Sequence, residues 1–280
     1  MNTQLMLPIL RFYLATIGNV APKRTNYALW KLFSRPKRRS SRVGAPELLA
    51  QAMQLKHEYQ GHSINGYLWG QGARQVFLAH GWQSHAMDFK HLIPALVEAG
   101  YQVIGFDMPA HGDSEGKIAH PPAFSDVWSA VFDKLGAPYA VIAHSMGANA
   151  MTHVLSTRWE GAAVQRFVAL APPTDPPSFF YHFCKKLGLG ETRAQELIAM
   201  TKEITGFSPL EFVMFDRFDD LNADQVMLAY DQDDRTVPQG EMLQLKAAWK
   251  GAHCIETKGL RHNGLLKDEA LRTEILQFLA

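Results

Sequence analysis

The sequence predicts an α/β fold with a mainly parallel central sheet, helices on both faces and a small helical cap. Short apolar stretches alternate along the chain with amphipathic stretches of helical periodicity. Continuous apolar strands are typical of a parallel sheet that is buried on both faces. The excursion of residues 172–222 between two predicted strands is too long for an ordinary connection, and we assign it to the cap.

The strands are predicted from short apolar runs that are bounded by turn residues. Residues 55–69 are typical of a strand pair, with turns at Gly61 and at Asn65-Gly66. The other predicted elements are strands over residues 75–79, 102–106, 139–143, 166–170, 226–230 and 253–257, and helices over residues 88–99 and 271–279.

The first 46 residues differ from the rest, because they contain basic residues but no acidic one. Their apolar residues recur at near-helical spacing, with a break near Pro22 and an end before Pro36. A basic amphipathic helix can lie on an anionic membrane surface. It can equally pack on the rest of the chain with its lysines and arginines in water, and we favour packing. The predicted domains are a basic amphipathic helical segment (1–46), an α/β core (47–171 and 223–280) and a helical cap insertion (172–222).

Composition excludes several classes of protein. The chain has 280 residues, of which 47% are hydrophobic and 20% charged, and this disfavours disorder. A net charge of +1 gives no indication of nucleic-acid binding. Cys184 and Cys254 stand in unrelated contexts, which disfavours a disulfide framework or a zinc site. Because no apolar run is long enough to cross a membrane and the N-terminus lacks a signal-peptide pattern, we expect a cytoplasmic protein.

Ser145 is the candidate nucleophile. It lies between a predicted strand and a predicted helix in the sequence Ala-His-Ser-Met-Gly. A sharp strand-turn-helix with small neighbours projects a serine hydroxyl above the sheet, as in the pattern G-x-S-x-G. Ala143 replaces the first glycine of that pattern, which is the smallest possible departure.

His262 and Asp234 are the candidate base and acid. A serine hydroxyl needs a base to take its proton, and the base needs a carboxylate to hold its tautomer. His262 follows the last predicted strand, and the chain order Ser, Asp, His fits the same pattern. Asp234, four residues before Pro238, is the preferred acid. The alternatives left open are Asp233, Asp231 and Asp175.

The backbone N–H groups of Trp82 and Met146 are predicted to bind the negatively charged oxygen of a tetrahedral intermediate. Trp82 ends a His-Gly-Trp sequence after a strand, and Met146 follows the nucleophile. We expect His80 to shape this loop by hydrogen bonding, and Gly81 to let the backbone approach closely. The predicted substrate pocket is lined by His80, Gly81, Phe179 and Phe180. For the cap aromatics, plain packing is the alternative.

Residues 107–114, Asp-Met-Pro-Ala-His-Gly-Asp-Ser, predict a rigid turn that braces the floor of the site. The combination of Asp107, His111 and Asp113 could be mistaken for a metal site. Nothing in the sequence supplies further convergent ligands, so we predict no metal.

Together these motifs resemble the α/β-hydrolase superfamily from about residue 55 to the C-terminus. The whole chain is also similar to bacterial serine hydrolases of esterase type. The resemblance implies a hydrolase without a cofactor that cleaves a small carboxylic ester through an acyl-enzyme, and the aromatic cap suggests an apolar group on that ester. The second departure from the family pattern is Tyr230-Asp231, where many members have a glycine.

Two other functions remain open at this point. The same triad could hydrolyse a thioester, a lactone or a C–C bond, or form a peracid. Alternatively, the chain could be a hydrolase-like protein that binds a ligand or partner without turnover.

Overall fold

In the computed structural model, the described residues are Arg11, Leu14, Thr16, Gly18 and 20–280. They divide by packing into two compact units. The helical unit contains the described residues up to Arg35 together with Asp175–Val213. The α/β unit contains Pro36–Thr174 and Met214–Ala280.

The strands of the α/β unit form one eight-stranded sheet in the order β1-β2-β4-β3-β5-β6-β7-β8. The antiparallel pairs are β1 with β2 and β2 with β4, and the other neighbours run parallel. The mainly parallel sheet predicted from the apolar runs is confirmed. The strands are β1 (Met53–Tyr59), β2 (His62–Trp69), β3 (Arg74–Ala79), β4 (Tyr101–Phe106), β5 (Ala140–His144), β6 (Val164–Leu170), β7 (Ala223–Asp231) and β8 (His253–Thr257).

The α-helices of the described residues are α1 (Pro22–Phe33), α2 (Pro46–Ala50), α3 (Ile93–Glu98), α4 (Pro121–Leu135), α5 (Met146–Thr157), α6 (Pro176–Leu187), α7 (Glu191–Thr205), α8 (Gln239–Ala248), α9 (Arg261–Gly264) and α10 (Glu269–Leu279). In the part of the chain for which bounds can be given, 3-10 turns span Ala86–Phe89 and Pro209–Phe212. None of the helices in this part of the chain has the length and apolar character that crossing a bilayer requires.

Two sequence predictions for the α/β unit are wrong in detail. Asn65-Gly66 is not a turn, because Asn65 pairs with Lys56 and Gly66 pairs with Phe106 inside the sheet. A Cβ atom at position 66 would lie 2.4 Å from the ring of Phe106, so glycine is needed there for packing. The single helix predicted over 88–99 is a 3-10 turn followed by α3, which starts with Pro94 in its first turn.

Apolar side chains cover both faces of the sheet. Successive residues of a strand point to opposite faces, so Val76 and Leu78 belong to one buried cluster while Phe77 belongs to the other. On the Phe77 face the ring of Trp128 from α4 stacks at 5.7 Å between centroids. Helices on both faces therefore exclude water from the parallel strands, and this rigid scaffold holds the loops at their ends.

The helical unit is built by α1 and α6, which both pack on α7. Helix α1 begins at Pro22 and ends before Pro36, as its sequence pattern predicts. Its indole Trp30 Nε1 donates a hydrogen bond to Thr201 Oγ1 at 3.1 Å. The first of the two predicted N-terminal helices lies almost wholly outside the described residues.

The boundaries of the two packing units differ from those of the predicted domains. Residues 36–42 belong to the α/β unit, because Arg38 Nε donates to Gly112 O at 2.8 Å and Ser41 Oγ donates to Asp107 Oδ2 at 2.6 Å. The insertion separates from the sheet at Asp175 rather than at 172. That this insertion forms a cap over the site stays a prediction.

Candidate active site

Four of the predicted site residues follow parallel strands of the same sheet. Trp82 follows β3, Ser145 follows β5, Asp234 follows β7, and His262 follows β8. The carboxyl ends of parallel strands lie at one edge of a sheet, which is where open α/β sheets bind ligands. The topology therefore brings together residues that are far apart in the chain.

Ser145 lies on a tight bend between β5 and α5. Its φ of 54° and ψ of −128° are unusual for a residue with a side chain, and such strain is held by the surrounding structure. The Ser145 N–H donates to Leu170 O at 2.8 Å, which fixes the bend to the neighbouring strand. A Cβ atom at Gly147 would lie 2.3 Å from Ala79 O, so α5 can start here only with a glycine. Ala143 is fully buried within β5 and does not disturb the bend.

The three predicted catalytic side chains form one hydrogen-bonded chain. His262 Nε2 lies 2.9 Å from Ser145 Oγ, and His262 Nδ1 lies 2.7 Å from Asp234 Oδ2. Because a carboxylate only accepts hydrogen bonds, the proton between the latter pair belongs to Nδ1. Nε2 is therefore the free lone pair that can accept the serine proton.

Asp234 is held as a carboxylate. Its side chain is 1% exposed, and Oδ1 accepts hydrogen bonds from Thr236 N at 2.7 Å and Val237 N at 3.1 Å. Burial would raise the pKa of Asp234, but the hydrogen bond and the charge of His262, together with the two backbone N–H groups, lower it. The acid thus remains charged next to the imidazole.

The other aspartates of this loop bind backbone N–H groups instead of the imidazole. Asp231 Oδ1 accepts from Arg261 N at 2.9 Å, and Oδ2 accepts from Leu260 N at 3.0 Å. Asp233 Oδ2 accepts from Gly259 N at 3.0 Å. Both aspartates therefore tie the loop that carries His262 to the end of β7.

Asp175, the remaining alternative, lies in the helical unit at the N-cap of α6. Burial raises its pKa. Of the three candidate acids in the α/β unit, Asp234 alone lies within hydrogen-bond distance of His262 Nδ1.

The loop after β3 passes close to the serine. A Cβ atom at Gly81 would lie 2.7 Å from Ser145 Cβ, so a side chain here would displace the nucleophile. The next residue, Trp82, has a backbone N–H without an acceptor among the described residues. Met146 is the first residue of α5, where an N–H has no partner within the helix. Their role as oxyanion donors stays a prediction.

His80 needs correction as a pocket residue. It is fully buried, Nδ1 donates to Gly81 O at 2.8 Å, and Nε2 accepts from Met108 N at 2.9 Å. With both nitrogens bound to the backbone, its side chain has no polar atom left for a ligand. His80 instead shapes the loop, which agrees with the sequence-based expectation for its hydrogen bonding.

The Asp107 loop is a polar anchor beneath the site. Asp107 Oδ2 accepts from Ser41 Oγ at 2.6 Å and from Tyr67 OH at 2.9 Å, while Oδ1 accepts from Ala86 N at 2.9 Å. A Cβ atom at Gly112 would lie 2.1 Å from the carboxylate. These contacts fit a bracing role. No group of three or more potential metal ligands occurs within the described residues.

Sequence reasoning missed two contributors to the site. His144 Nε2 donates to the backbone oxygen of His262 at 3.0 Å, so the residue before the nucleophile also fixes the base. Arg39 Nε donates to Gln83 O at 3.1 Å, directly after Trp82, and its guanidinium pairs with Asp88. The position of His144 beside Ser145 is a usable sequence signal, whereas nothing local connects Arg39 with a loop 44 residues away.

A comparison with protein families identifies the family to which the chain belongs. Residues 70–209, half of the chain, match the profile of the Hydrolase_4 family, which is described as serine aminopeptidase, S33. The chain belongs to this family. The α/β-hydrolase resemblance stated from the motifs is thereby confirmed, and the protein is a hydrolase of this superfamily. No curated protein gave a match.

Solved structures support the same fold for this Hydrolase_4 member. The Pyrococcus furiosus esterase Pf2001 has a TM-score of 0.64 and 20% identity, covering 88% of this chain and 96% of that chain. Est1E from Butyrivibrio proteoclasticus, with ferulic acid bound, has a TM-score of 0.60 and 15% identity, covering 80% and 99%. The thioesterase domain from the curacin biosynthetic pathway has a TM-score of 0.60 and 16% identity, covering 81% and 98%. At such identities the likeness shows the fold.

The predicted pocket aromatics lie in the helical unit of the hydrolase. The ring centroid of Phe180 lies 4.3 Å from that of Phe33, and Phe180 is 5% exposed. Phe179 is half-buried. Packing within the helical unit therefore accounts for Phe180, and a role of either ring in the pocket stays a prediction.

The pKa values of four histidines are lowered by burial, which predicts that the hydrolase loses stability in acid. Burial lowers the pKa of His80 and His120 to about 4, and of His111 and His144 to about 3. In the unfolded chain each would titrate near its ordinary value of 6.5. Their contribution to folding is complete above pH 6.5 and is lost as the pH falls towards 4 and then 3, because the unfolded state binds more protons there.

We expect the free energy of unfolding to fall by up to about 5 kcal/mol per pH unit between roughly pH 5.5 and 4.5, since each proton contributes about 1.4 kcal/mol per unit. Urea unfolding at closely spaced pH values measures this slope. His111→Gln can still accept from Gln83 N through its amide oxygen, and it should reduce the slope by about one proton. A stability that stays constant between pH 6.5 and 4.5 would contradict the prediction.

Proposed function

We propose that the chain is a serine hydrolase that cleaves a carboxylic ester with an apolar group through an acyl-enzyme. Ser145 is the nucleophile, His262 the general base and Asp234 the acid that orients it. The observation that carries the proposal is the continuous hydrogen-bonded chain from Ser145 Oγ through His262 to Asp234, with distances of 2.9 and 2.7 Å.

The reaction begins when Ser145 Oγ attacks the ester carbonyl carbon and His262 Nε2 accepts the hydroxyl proton. The tetrahedral intermediate carries its negative charge on the former carbonyl oxygen, which the N–H groups of Trp82 and Met146 bind. The intermediate collapses as the bond to the alcohol oxygen breaks, and His262 donates its proton to that oxygen. Asp234 stabilises the imidazolium throughout and keeps its own charge.

Hydrolysis of the acyl-enzyme repeats these steps with water. His262 takes a proton from water, whose oxygen attacks the acyl carbon, and then returns the proton to Ser145 Oγ as the carboxylic acid leaves. The three side chains carry out proton transfer, and the two backbone N–H groups stabilise the oxyanion, so these groups suffice for the whole cycle. The proposed reaction therefore requires no cofactor.

An ester is favoured over other acyl groups because a solved structure with the same fold, Pf2001 from Pyrococcus furiosus, is an esterase. The family description favours a second candidate, the hydrolysis of an aminoacyl amide. A thioester is the third, because a thioesterase domain shares the fold. All three substrates pass through the same acyl-enzyme, so the choice between them depends on measured rates. A hydrolase-like binding protein without turnover remains the alternative of a different class.

Labelling with a fluorophosphonate tests the nucleophile. We expect the wild-type chain to be modified at Ser145, Ser145→Ala to stay unlabelled, and the matched control Ser63→Ala on β2 to label like wild type. Circular dichroism of each variant establishes that it is folded. A folded wild-type chain that is not labelled, or a label on another residue, would refute the proposed nucleophile.

A substrate panel tests the bond and the apolar group. It compares p-nitrophenyl esters of short, medium and long acyl chains with acyl thioesters and aminoacyl p-nitroanilides. We expect the highest kcat/KM with an ester of medium or long chain. Faster turnover of the thioesters or anilides would overturn the ester assignment and leave the nucleophile in place.

A further inference from the structure

The charges of the chain are divided unequally between its two units. The segments Met1–Arg35 and Asp175–Val213 contain nine lysines and arginines and five aspartates and glutamates, a net charge of +4. The rest of the chain contains 19 basic and 22 acidic residues, a net charge of −3. The overall charge of +1 therefore hides a cationic helical unit.

Helix α1 has an inner face that already has a partner. Thr25, Asn26, Leu29 and Trp30 are buried, and this face packs on α7. Asn26 Nδ2 donates to Glu196 Oε2 at 2.9 Å, and Trp30 also hydrogen-bonds to α7. Packing of this face leaves the opposite side of α1 in solvent.

The outer face of α1 combines cations with exposed apolar side chains. Lys23, Arg24 and Lys31 are exposed, and no acidic side chain of the described residues forms an ion pair with them. Tyr27 is 46% exposed and Leu32 is 52% exposed. Lys31 Nζ lies 4.3 Å above the centre of the Tyr27 ring. Residues 1–46 contain no acidic residue. The carboxylate of α7 that contacts α1, Glu196, accepts from Asn26 on the inner face and forms an ion pair with Arg193.

We propose that the outer face of α1, defined by Lys23, Arg24, Tyr27, Lys31 and Leu32, docks on the surface of a bilayer that contains anionic phospholipid. The three cations match the negative headgroups. A tyrosine is suited to the headgroup level, and leucine can enter the acyl boundary. This inference goes beyond the reaction at Ser145 and does not depend on it.

The apolar residues favour lipid over nucleic acid as the occupant. Phosphate contacts of a nucleic acid would use the three cations but would leave Leu32 exposed. The face of the Tyr27 ring under Lys31 Nζ is not open for stacking on a base. Val20, 84% exposed just before α1, adds a further apolar side chain near the same helix. A lipid surface is the partner that uses both the charge and the apolar side chains.

Vesicle sedimentation of the full chain tests the proposal. Vesicles of phosphatidylcholine mixed with phosphatidylglycerol are compared with vesicles of phosphatidylcholine alone, at low and high salt. We expect binding to the anionic vesicles that weakens with salt, since surface charges are screened. The triple variant Lys23→Gln, Arg24→Gln, Lys31→Gln should bind about 100-fold more weakly, at about fivefold per cation.

The matched control removes the same number of charges from the α/β unit. Lys246, Lys250 and Lys267 are exposed there, and the triple glutamine variant should bind vesicles like wild type. Fluorophosphonate labelling and thermal unfolding of both variants should match wild type, because the substituted side chains are exposed. Equal binding to both kinds of vesicle, equal losses in the two variants, or binding to duplex DNA without binding to vesicles would overturn the proposal.

Discussion

Replacing His262 by alanine is expected to lower kcat for ester hydrolysis about 10⁶-fold. The hydroxyl of Ser145 has no other proton acceptor in the geometry described, because His262 Nε2 at 2.9 Å is the contact of its oxygen. Loss of the base in a serine triad removes nearly all of the rate enhancement that the triad supplies. The small residual rate comes from substrate binding and oxyanion stabilisation. Steady-state rates with a p-nitrophenyl ester measure the effect.

The matched control for this substitution is His62→Ala. His62 is exposed on β2, which lies three positions from β5 in the sheet order, and it makes no hydrogen bond to the three triad residues, so its loss should leave kcat unchanged. Added imidazole should restore part of the activity of His262→Ala, because it can enter the vacated space and accept the proton. If His262→Ala retained more than about one hundredth of the wild-type kcat, the assignment of His262 as the general base would be wrong.

The α/β core could be predicted from sequence because buried parallel strands have a simple pattern. Strands β3 and β5 are short apolar runs, and each ends at the residue where a motif begins. The residues after such runs meet at one edge whatever the length of the intervening helices. The approximate place of Ser145 and His262 therefore followed from the strand positions together with the G-x-S-x-G pattern and the chain order of the triad.

Choosing among the three aspartates at the carboxyl end of β7 required the structure. Asp231, Asp233 and Asp234 lie within four residues, and sequence spacing does not say where each side chain points. The loop turns so that Asp231 and Asp233 bind backbone N–H groups of residues 259–261, while Asp234 meets His262. The acid is identified by the hydrogen bond between Asp234 and His262, which are 28 residues apart, and local sequence does not contain that information.

Residues 36–42 show a second limit of sequence patterns. Their arginines were expected to remain solvated or to contact lipid. In the structure Arg38 and Arg39 bind carbonyl oxygens of loops next to the site, at Gly112 and Gln83. Hydrogen bonds between an extended segment and distant loops have no periodicity, so no pattern in the sequence reveals them. The predicted domain boundary at residue 46 was based on the absence of acidic residues before it. In the structure, the contacts of residues 36–42 place them in the α/β unit.

Three substitutions at the carboxyl end of β7 and in the loop that follows separate catalysis from positioning. Asp234→Asn is expected to lower kcat about 10⁴-fold with little change in KM. An asparagine can keep its amide oxygen on the N–H groups of Thr236 and Val237, so the loop should stay in place. Its NH₂ group would then donate to His262 Nδ1, so the imidazole would carry its proton on Nε2. In that tautomer Nε2 cannot accept the hydroxyl proton of Ser145.

Asp233→Asn is the matched control, since Asp233 accepts a hydrogen bond from Gly259 N and makes none to His262. Its kcat should stay within about threefold of wild type, because an amide oxygen can still accept that bond. Asp231 presents a different case. Both of its oxygens accept hydrogen bonds, from Asp233 N and Arg261 N on one and from Thr257 Oγ1 and Leu260 N on the other.

Asp231→Asn must therefore place an NH₂ group against hydrogen-bond donors. We expect these unsatisfied buried donors to lower the free energy of unfolding by about 1–3 kcal/mol. Burial would raise the pKa of Asp231, but these four hydrogen bonds lower it, so the aspartate is charged at neutral pH. Urea unfolding should thus distinguish Asp231→Asn, which loses stability, from Asp234→Asn, which loses kcat. If Asp231→Asn instead abolished turnover at wild-type stability while Asp234→Asn remained active, the acid of the triad would be Asp231.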